Sequence, residues 1–349
     1  MLHGPAAMGE PWQPQPQQQR LPGLGNGSEP SAWPSAAGGP GTAAPGGGGG
    51  AGPGGAVSPW DIALCATGTA VAGENALVLA VLFYTPSLRA PMFLLIGSLA
   101  LADLLAGLGL VANFAVRYLL RPPSEAAELG AAGLLLAAFS ASVCSLLAIT
   151  VDRYLSLYNA LTYHSERTLG FTCAMVLLMW LLCLGVGLLP LLGWNCLRDQ
   201  SACSILRPVT KDNAAVLAVT FLLLFALMMQ LYLQICKIAF RHAQQIAVQH
   251  QFIATAQATS TRKGLSTLSL ILGTFALCWI PFAIYSLVAD SSYPVVYTYS
   301  LALPATCNSL INPIIYAFRN PDIQKSLWLA CCGCIPSTFS SRPRTSSDV

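Results

Sequence analysis

Seven long apolar stretches dominate this sequence and restrict what it can fold into. Each is close to the ~20 residues that an α-helix needs to cross the hydrocarbon core of a bilayer. Backbone groups in lipid must be hydrogen-bonded within the protein, so helices are the structures that such stretches can form. The stretches cover residues 62–83, 91–116, 130–156, 168–192, 214–238, 264–288 and 295–318. We therefore predict an all-α membrane protein, a bundle of seven transmembrane helices.

The composition argues against the water-soluble classes. Charged residues make up 9% of the 349 residues, against roughly 25% in soluble domains, and the mean hydropathy is +0.60. So few charges cannot cover a soluble enzyme or scaffold. The net charge of +3 is too small to indicate a nucleic-acid partner.

The remaining segments suggest a division into four parts. Residues 1–59 are rich in Gly, Pro, Ala and Gln and bury too little apolar area to offset the entropy of ordering, so we predict a disordered tail. Asn26 begins an N-glycosylation triplet in that tail. We predict a seven-helix domain over 60–319, a short amphipathic helix over 320–330 and a cytoplasmic tail over 331–349.

Basic residues are distributed unevenly between the two sides of the predicted bundle. With the N-terminus outside, the cytoplasmic pieces contain eleven Lys and Arg residues and the extracellular pieces six. An excess of Lys and Arg marks the cytoplasmic side of membrane proteins. We expect a multi-pass plasma-membrane protein with an extracellular N-terminus.

Asp103 lies in the middle of the second stretch, where an ionisable group costs about 2.5 to 3.5 kcal/mol to insert. Ser142, Asn308, Ser309 and Asn312 in other stretches offer oxygen atoms to it. Two interpretations remain open. In the first, the cluster binds a small cation such as Na⁺. In the second, it is a hydrogen-bonded link between helices, and the acid is protonated.

A boundary triplet and two prolines indicate helices that pivot. Asp152-Arg153-Tyr154 ends the third stretch; alone, this triplet would favour an interfacial anchor, and the residues that accompany it favour a switch. Pro281 and Pro313 lie within the sixth and seventh stretches, where each removes a backbone hydrogen bond and kinks the helix.

Together these residues resemble the rhodopsin-like class of G-protein-coupled receptors. The resemblance covers roughly residues 60 to 330. It is carried, in chain order, by Asn75, Asp103, Asp152, Arg153, Tyr154, Trp180, Tyr232, Trp279, Pro281, Asn312, Pro313 and Tyr316.

Longer stretches look like the orphan receptors numbered three, six and twelve, relatives of the lysophospholipid and cannabinoid receptors. They are residues 89–93, 145–163, 241–247 and 312–320. This resemblance implies strong ligand-independent activation of the stimulatory G protein, which raises cyclic AMP. It implies a cytoplasmic cleft lined by Arg153, Tyr232 and Tyr316, with Leu161 and Lys263 contacting the G protein.

The chain departs from the wider class in the position of its extracellular cysteines. Most members join the third helix to the following outer loop by a disulfide, but here Cys196 and Cys203 share that loop. In an oxidising compartment we expect them to pair, with two free thiols as the alternative.

The predicted pocket lacks a charged anchor. Leu135 occupies the place of the acid that binds amines, and alanines replace the Arg-Glu pair of phospholipid receptors. A cavity lined by Leu135, Phe139, Trp279 and Phe282 suits an apolar or lipid-like ligand. Closed core packing is the alternative.

The start of the sixth helix lacks an acidic residue. Many class members pair the boundary arginine with an acid there, whereas residues 260–263 contain none. We hypothesise that this absence contributes to basal activity by leaving Arg153 less restrained.

The C-terminal tail carries further candidate sites. Cysteines after the amphipathic helix suit palmitoylation, with metal binding as the alternative, and the terminal Val349 suits a scaffold domain that captures C-termini. The cysteines are Cys331, Cys332 and Cys334.

Two other functions compete with a receptor. A membrane transporter or lipid scramblase would favour internal repeats, which the two halves do not show. An intramembrane metal hydrolase would need histidine or carboxylate ligands at depth, and all four histidines lie outside the apolar stretches. We therefore expect no enzyme, and no cofactor unless the Asp103 cluster binds Na⁺.

Overall fold

The structure is a computed structural model. It describes residues 57–120, 122, 124–158, 169–249, 254–290 and 292–332. These residues form eight α-helices: α1 Pro59–Tyr84, α2 Pro91–Tyr118, α3 Glu125–Tyr158, α4 Leu169–Leu188, α5 Lys211–Gln249, α6 Ala254–Val288, α7 Val295–Arg319 and α8 Pro321–Cys332.

The helices pack as a bundle around α3. α1 packs on α2, α2 on α3, α3 on α4, α5 on α6 and α6 on α7; α3 also contacts α5, and α7 closes the bundle against α1. Among the described residues, α1 to α6 are each long and apolar enough to cross a membrane. α7 has 25 residues but is less apolar because it carries the buried polar side chains of Thr306, Asn308, Ser309 and Asn312.

Large apolar side chains occupy both the core and the outer surface. Leu95, Leu99, Leu146 and Phe275 are at most 1% exposed. The peripheral helix α4 instead presents outward leucines that are 59–65% exposed, Leu177, Leu178, Leu181 and Leu182. An apolar exterior of this kind requires lipid around it.

Small residues allow α1 and α2 to approach closely. A Cβ atom at Gly107 would lie 2.5 Å from the carbonyl oxygen of Gly68. In lipid, helices associate largely through such close contacts, because the hydrophobic effect does not favour helix over lipid.

The fifth and sixth helices extend into residues 239–263, the segment between the apolar stretches 214–238 and 264–288. α5 continues to Gln249 and α6 already begins at Ala254. The apolar stretches mark where a helix can cross lipid, whereas the Ala and Gln residues of this segment favour helix in water as well.

The boundaries of the eighth helix also shift. α8 covers Pro321–Cys332 instead of 320–330. The Oδ1 atom of Asn320 accepts a hydrogen bond of 3.3 Å from the N–H of Ile323, so Asn320 caps the helix from outside it.

Candidate functional site

Asp103 is the centre of a fully buried polar cluster that joins α2, α3 and α7. Its Oδ1 atom accepts hydrogen bonds from the hydroxyls of Ser142 at 3.1 Å and Ser309 at 2.9 Å. Its Oδ2 atom accepts one from the amide of Asn312 at 2.9 Å. The carboxylate therefore has three donors from two other helices, which offsets the cost of burying it.

Four polar atoms near this cluster have no hydrogen-bond partner among the described residues. They are Oδ1 of Asn75, Nδ2 of Asn308, Oδ1 of Asn312 and the hydroxyl of Tyr316. Asn308, a predicted ligand of the cluster, thus makes no hydrogen bond to Asp103 through its amide nitrogen. Asn75 instead reaches α7, where its amide donates to the carbonyl of Ser309 at 3.2 Å.

A second network joins α2, α3 and α4 beside the first. The hydroxyls of Ser98 and Ser145 are 2.9 Å apart, and the indole N–H of Trp180 donates to Ser98 at 3.0 Å. The sequence analysis named Trp180 but missed both serines, which carry no signal beyond being polar residues in apolar stretches.

Aromatic rings pack together in the centre of the bundle. The centroid of Trp279 lies 5.0 Å from Phe139 and 6.3 Å from Phe282. Phe221 and Phe275, which the sequence analysis missed, lie 5.9 and 6.1 Å from the same ring. The rings are in direct contact, as the closed-packing alternative expects.

Leu135 packs against α2 in the same region. A Cβ atom at Gly109 would lie 2.8 Å from Cδ2 of Leu135. The predicted pocket residues therefore share one region of the bundle.

The residues predicted for coupling lie at the end of the bundle opposite the start of α1. Asp152 is buried and Arg153 is partly buried near the end of α3, and Tyr154 stacks on Tyr158 with centroids 5.7 Å apart. Tyr316 is 5% exposed. The switch role of these residues stays a prediction.

Tyr232 connects α5 to α6 in the same half. The hydroxyls of Tyr232 and Ser269 are hydrogen-bonded to each other. The hydroxyl of Ser269 also donates to the carbonyl of Leu265 at 2.8 Å. The sequence analysis did not single out Ser269.

Pro281 interrupts α6, and both Pro304 and Pro313 interrupt α7. The sequence analysis named only the first and last of these prolines. Because proline lacks the backbone N–H, each is a point at which its helix bends.

The loop between α4 and α5 contains the predicted disulfide. Cys196 and Cys203 are bonded, with Cα atoms 5.3 Å apart. The loop also pairs with the α6–α7 connection through a backbone bridge between Ser204 and Asp290, and Lys211 forms an ion pair of 3.6 Å with Asp290. Hydrogen bonds from Ser292, together with Lys211, lower the pKa of the Asp290 carboxyl, which keeps it ionised.

Comparison with known proteins identifies the family. Residues 74–316 match the family model described as 7 transmembrane receptor (rhodopsin family). The chain belongs to this receptor family. G-protein coupled receptor 12 of Mus musculus is 66% identical over 293 residues, which cover 84% of this chain and 87% of the relative.

Two further relatives place the receptor in the same orphan group. G-protein coupled receptor 6 of Rattus norvegicus is 54% identical over 84% of this chain and 80% of its own length. G-protein coupled receptor 3 of Rattus norvegicus is 53% identical over 83% of this chain and 88% of its own length. The predicted family and seven-helix fold are confirmed.

Family membership settles the broad function. The receptor is a multi-pass plasma-membrane protein with a G protein as its partner, and the family is not enzymatic. The transporter, scramblase and hydrolase alternatives are therefore set aside.

Several predicted sites lie outside the described residues. They are Asn26, Leu161, Cys334 and Val349, and the side chains of Lys263, Cys331 and Cys332. Glycosylation, palmitoylation and scaffold binding stay predictions.

Proposed function

We propose that this receptor activates the stimulatory G protein without a bound ligand and so raises cyclic AMP, with its N-terminus outside the cell. The resemblance to the orphan group implies this coupling. The observation that carries the ligand-independent part is the composition of α6, which contains no Asp or Glu between Ala254 and Val288.

α6 is restrained in the same region by a neutral hydrogen bond, which is weaker than a bond to a charged group would be. The hydrogen bond between Tyr232 and Ser269 joins α5 to α6 without a charge. A neutral hydrogen bond contributes about 0.5 to 1.5 kcal/mol, whereas one with a charged partner contributes about 1.5 to 3 kcal/mol. A difference of ~1.4 kcal/mol changes a two-state ratio about tenfold, so an acid-free α6 favours spontaneous opening.

Opening would move the inner end of α6 outward about Pro281. The cleft would then expose Arg153, Tyr232 and Tyr316 to the G protein, with Leu161 and Lys263 at its edge. The G protein stabilises the open state because it binds only that state. Asn312 and Pro313 would let the inner end of α7 rearrange in the same step.

We expect cells that produce the receptor to show raised cyclic AMP with no added ligand. Arg153→Ala should lower that signal about tenfold at equal surface expression, since the residue at the centre of the cleft is lost. Arg198→Ala, an exposed residue in the loop between α4 and α5, is the matched control and should keep it. A flat wild-type signal, or an unchanged Arg153→Ala signal, would contradict the proposal.

We also propose that an apolar or lipid-like ligand modulates the receptor at the aromatic cluster. Leu135, Phe139, Trp279 and Phe282 provide apolar area and few hydrogen-bonding groups there. A ligand would have to separate the packed rings to enter, so it would shift the equilibrium that they hold closed.

A photoreactive long-chain fatty-acid amide tests the lipid site. We expect it to label peptides that contain Phe139 or Phe282 and to be displaced by the unlabelled amide. Leu135→Trp should reduce labelling about tenfold by filling the site, whereas Leu108→Trp, on a 45% exposed position of α2, should not. Labelling confined to lipid-facing peptides would contradict the proposal.

We further propose that the Asp103 cluster binds Na⁺. The carboxylate of Asp103 and the hydroxyls of Ser142 and Ser309 are oxygen ligands suited to a hard cation, and the Oδ1 atom of Asn312 has no other partner among the described residues. The buried carboxylate supplies the negative charge that the ion requires.

A further inference from the structure

Asp61 binds three residues at the end of the bundle where α1 begins. Its Oδ2 atom accepts a hydrogen bond of 2.6 Å from the hydroxyl of Tyr118 at the end of α2. Its Oδ1 atom accepts one of 2.5 Å from the hydroxyl of Tyr299 in α7. The guanidinium of Arg117 lies 3.4 Å from Oδ2. One carboxylate thus joins three helices.

The surroundings of Asp61 favour this arrangement. Its side chain is 13% exposed, so water competes little for the carboxylate. Asp61 lies in the first turn of α1 and Arg117 in the last turn of α2, where each charge complements the dipole of its own helix. Trp60 also stacks on Tyr299, with centroids 5.8 Å apart.

The protein's own side chains fill the space beside Asp61. The adjoining cavity has a volume of about 20 Å³ and is lined by Leu64, Leu110 and Phe114 among others. That volume holds about one water molecule. The cluster therefore joins the helices by direct contacts between side chains.

Both aspartates hold α7, with a proline between their contact points. Tyr299 binds Asp61, whereas Ser309 and Asn312 bind Asp103. Pro304 lies between the two positions and removes a backbone hydrogen bond from the helix. The missing hydrogen bond weakens the coupling between the two parts of α7, and the first part is held by Asp61 together with the hydrogen bond of 3.1 Å between Thr298 and Tyr285 of α6.

We infer that Asp61 is a positioning residue that replaces an agonist at the outer end of the bundle. In a ligand-driven receptor, the ligand shifts the equilibrium by contacting several helices in the signalling arrangement. Here Asp61, Tyr118 and Tyr299 make such contacts with the protein's own side chains, which favours signalling without a ligand. The inference depends on the proposed ligand-independent activity.

A double-mutant cycle tests this role. Asp61→Asn and Tyr299→Phe should each lower ligand-free cyclic AMP about fivefold at equal surface expression, because each weakens the same hydrogen bond. The double variant should lose little more than either single variant. Asp212→Asn, an exposed acid at the start of α5, and Tyr297→Phe, 58% exposed in α7, are the matched controls.

Purified receptor separates positioning from loss of folded protein. We expect Asp61→Asn to raise the concentration of stimulatory G protein that half-saturates nucleotide exchange about fivefold. The maximal rate should stay unchanged, because excess G protein restores the open population. A lower maximal rate at unchanged half-saturation would mean a merely structural role and would overturn the inference.

The remaining outcomes are also decisive. A wild-type receptor without ligand-free activity would overturn the proposed function and this inference together. An active wild type with an equally or more active Asp61→Asn variant would overturn the inference alone. Additive losses in the double variant would mean that Asp61 and Tyr299 act separately, which also contradicts it.

Discussion

At the scale of single residues, two aspartates organise the polar contacts between helices. Asp103 binds partners from α3 and α7 in the middle of the bundle, and Asp61 binds partners from α2 and α7 at one end. Each carboxylate is satisfied by several donors, as burial requires. The two aspartates differ in their surroundings. Buried polar atoms without a hydrogen-bond partner among the described residues accompany Asp103 and not Asp61.

The Na⁺ proposal predicts a salt-specific change in stability. Replacing NaCl with choline chloride at equal ionic strength should lower the unfolding temperature of purified receptor by on the order of 3 °C, if Na⁺ stands at ten times its Kd. Asp103→Asn should abolish the difference and Asp212→Asn should keep it. Equal unfolding temperatures in both salts would favour a hydrogen-bonded cluster with a protonated acid.

At the scale of elements, α6 and α7 differ in how they are held. α7 is joined to α1 and α2 through Asp61 and Asp103, whereas α6 makes neutral hydrogen bonds to its neighbours, from Tyr232 of α5 to Ser269 and from Tyr285 to Thr298 of α7. Charge-assisted hydrogen bonds are about twice as strong as neutral ones. We therefore expect α6 to be the helix that moves first.

Adding an acid to α6 should restrain it. Thr261→Glu places a carboxylate where related receptors have one, so ligand-free cyclic AMP should fall about tenfold for each ~1.4 kcal/mol gained by pairing with Arg153. Thr259→Glu adds the same charge about 200° away around the helix and should have less effect. Unchanged cyclic AMP in Thr261→Glu, at equal surface expression, would refute the restraint hypothesis.

At the scale of the whole molecule, charge distinguishes the two ends of the bundle. Basic residues concentrate on the side of the α5–α6 connection, which suits a G-protein partner, while Asp61 and Asp290 make the ion pairs near the other end. By the positive-inside rule, this distribution supports the proposed orientation with the start of α1 outside.

Epitope tags check this orientation. A tag before Met1 should bind antibody on intact cells, and a tag after Val349 should bind only after permeabilisation. The excess of Lys and Arg on the cytoplasmic side explains the expected asymmetry. The reverse accessibility would contradict the orientation and place Asp61 on the cytoplasmic side.

The receptor's helices and several of its polar residues could be predicted from the sequence, because lipid imposes a local rule. About twenty apolar residues must become a helix wherever they occur, and a charge such as Asp103 is conspicuous within them. Helix ends were less predictable. α5 extends to Gln249 because helix propensity, and not apolarity alone, decides where a helix stops.

The pairing of residues was decided only by the tertiary structure. Asp61 and Tyr299 are 238 positions apart, and each looks unremarkable near the end of an apolar stretch. Their contact depends on how α1 and α7 are rotated and packed against each other, which no local pattern contains. The sequence by itself determined a seven-helix receptor with a sparse set of charges, whereas the packing of its helices determined which of those charges hold the bundle together.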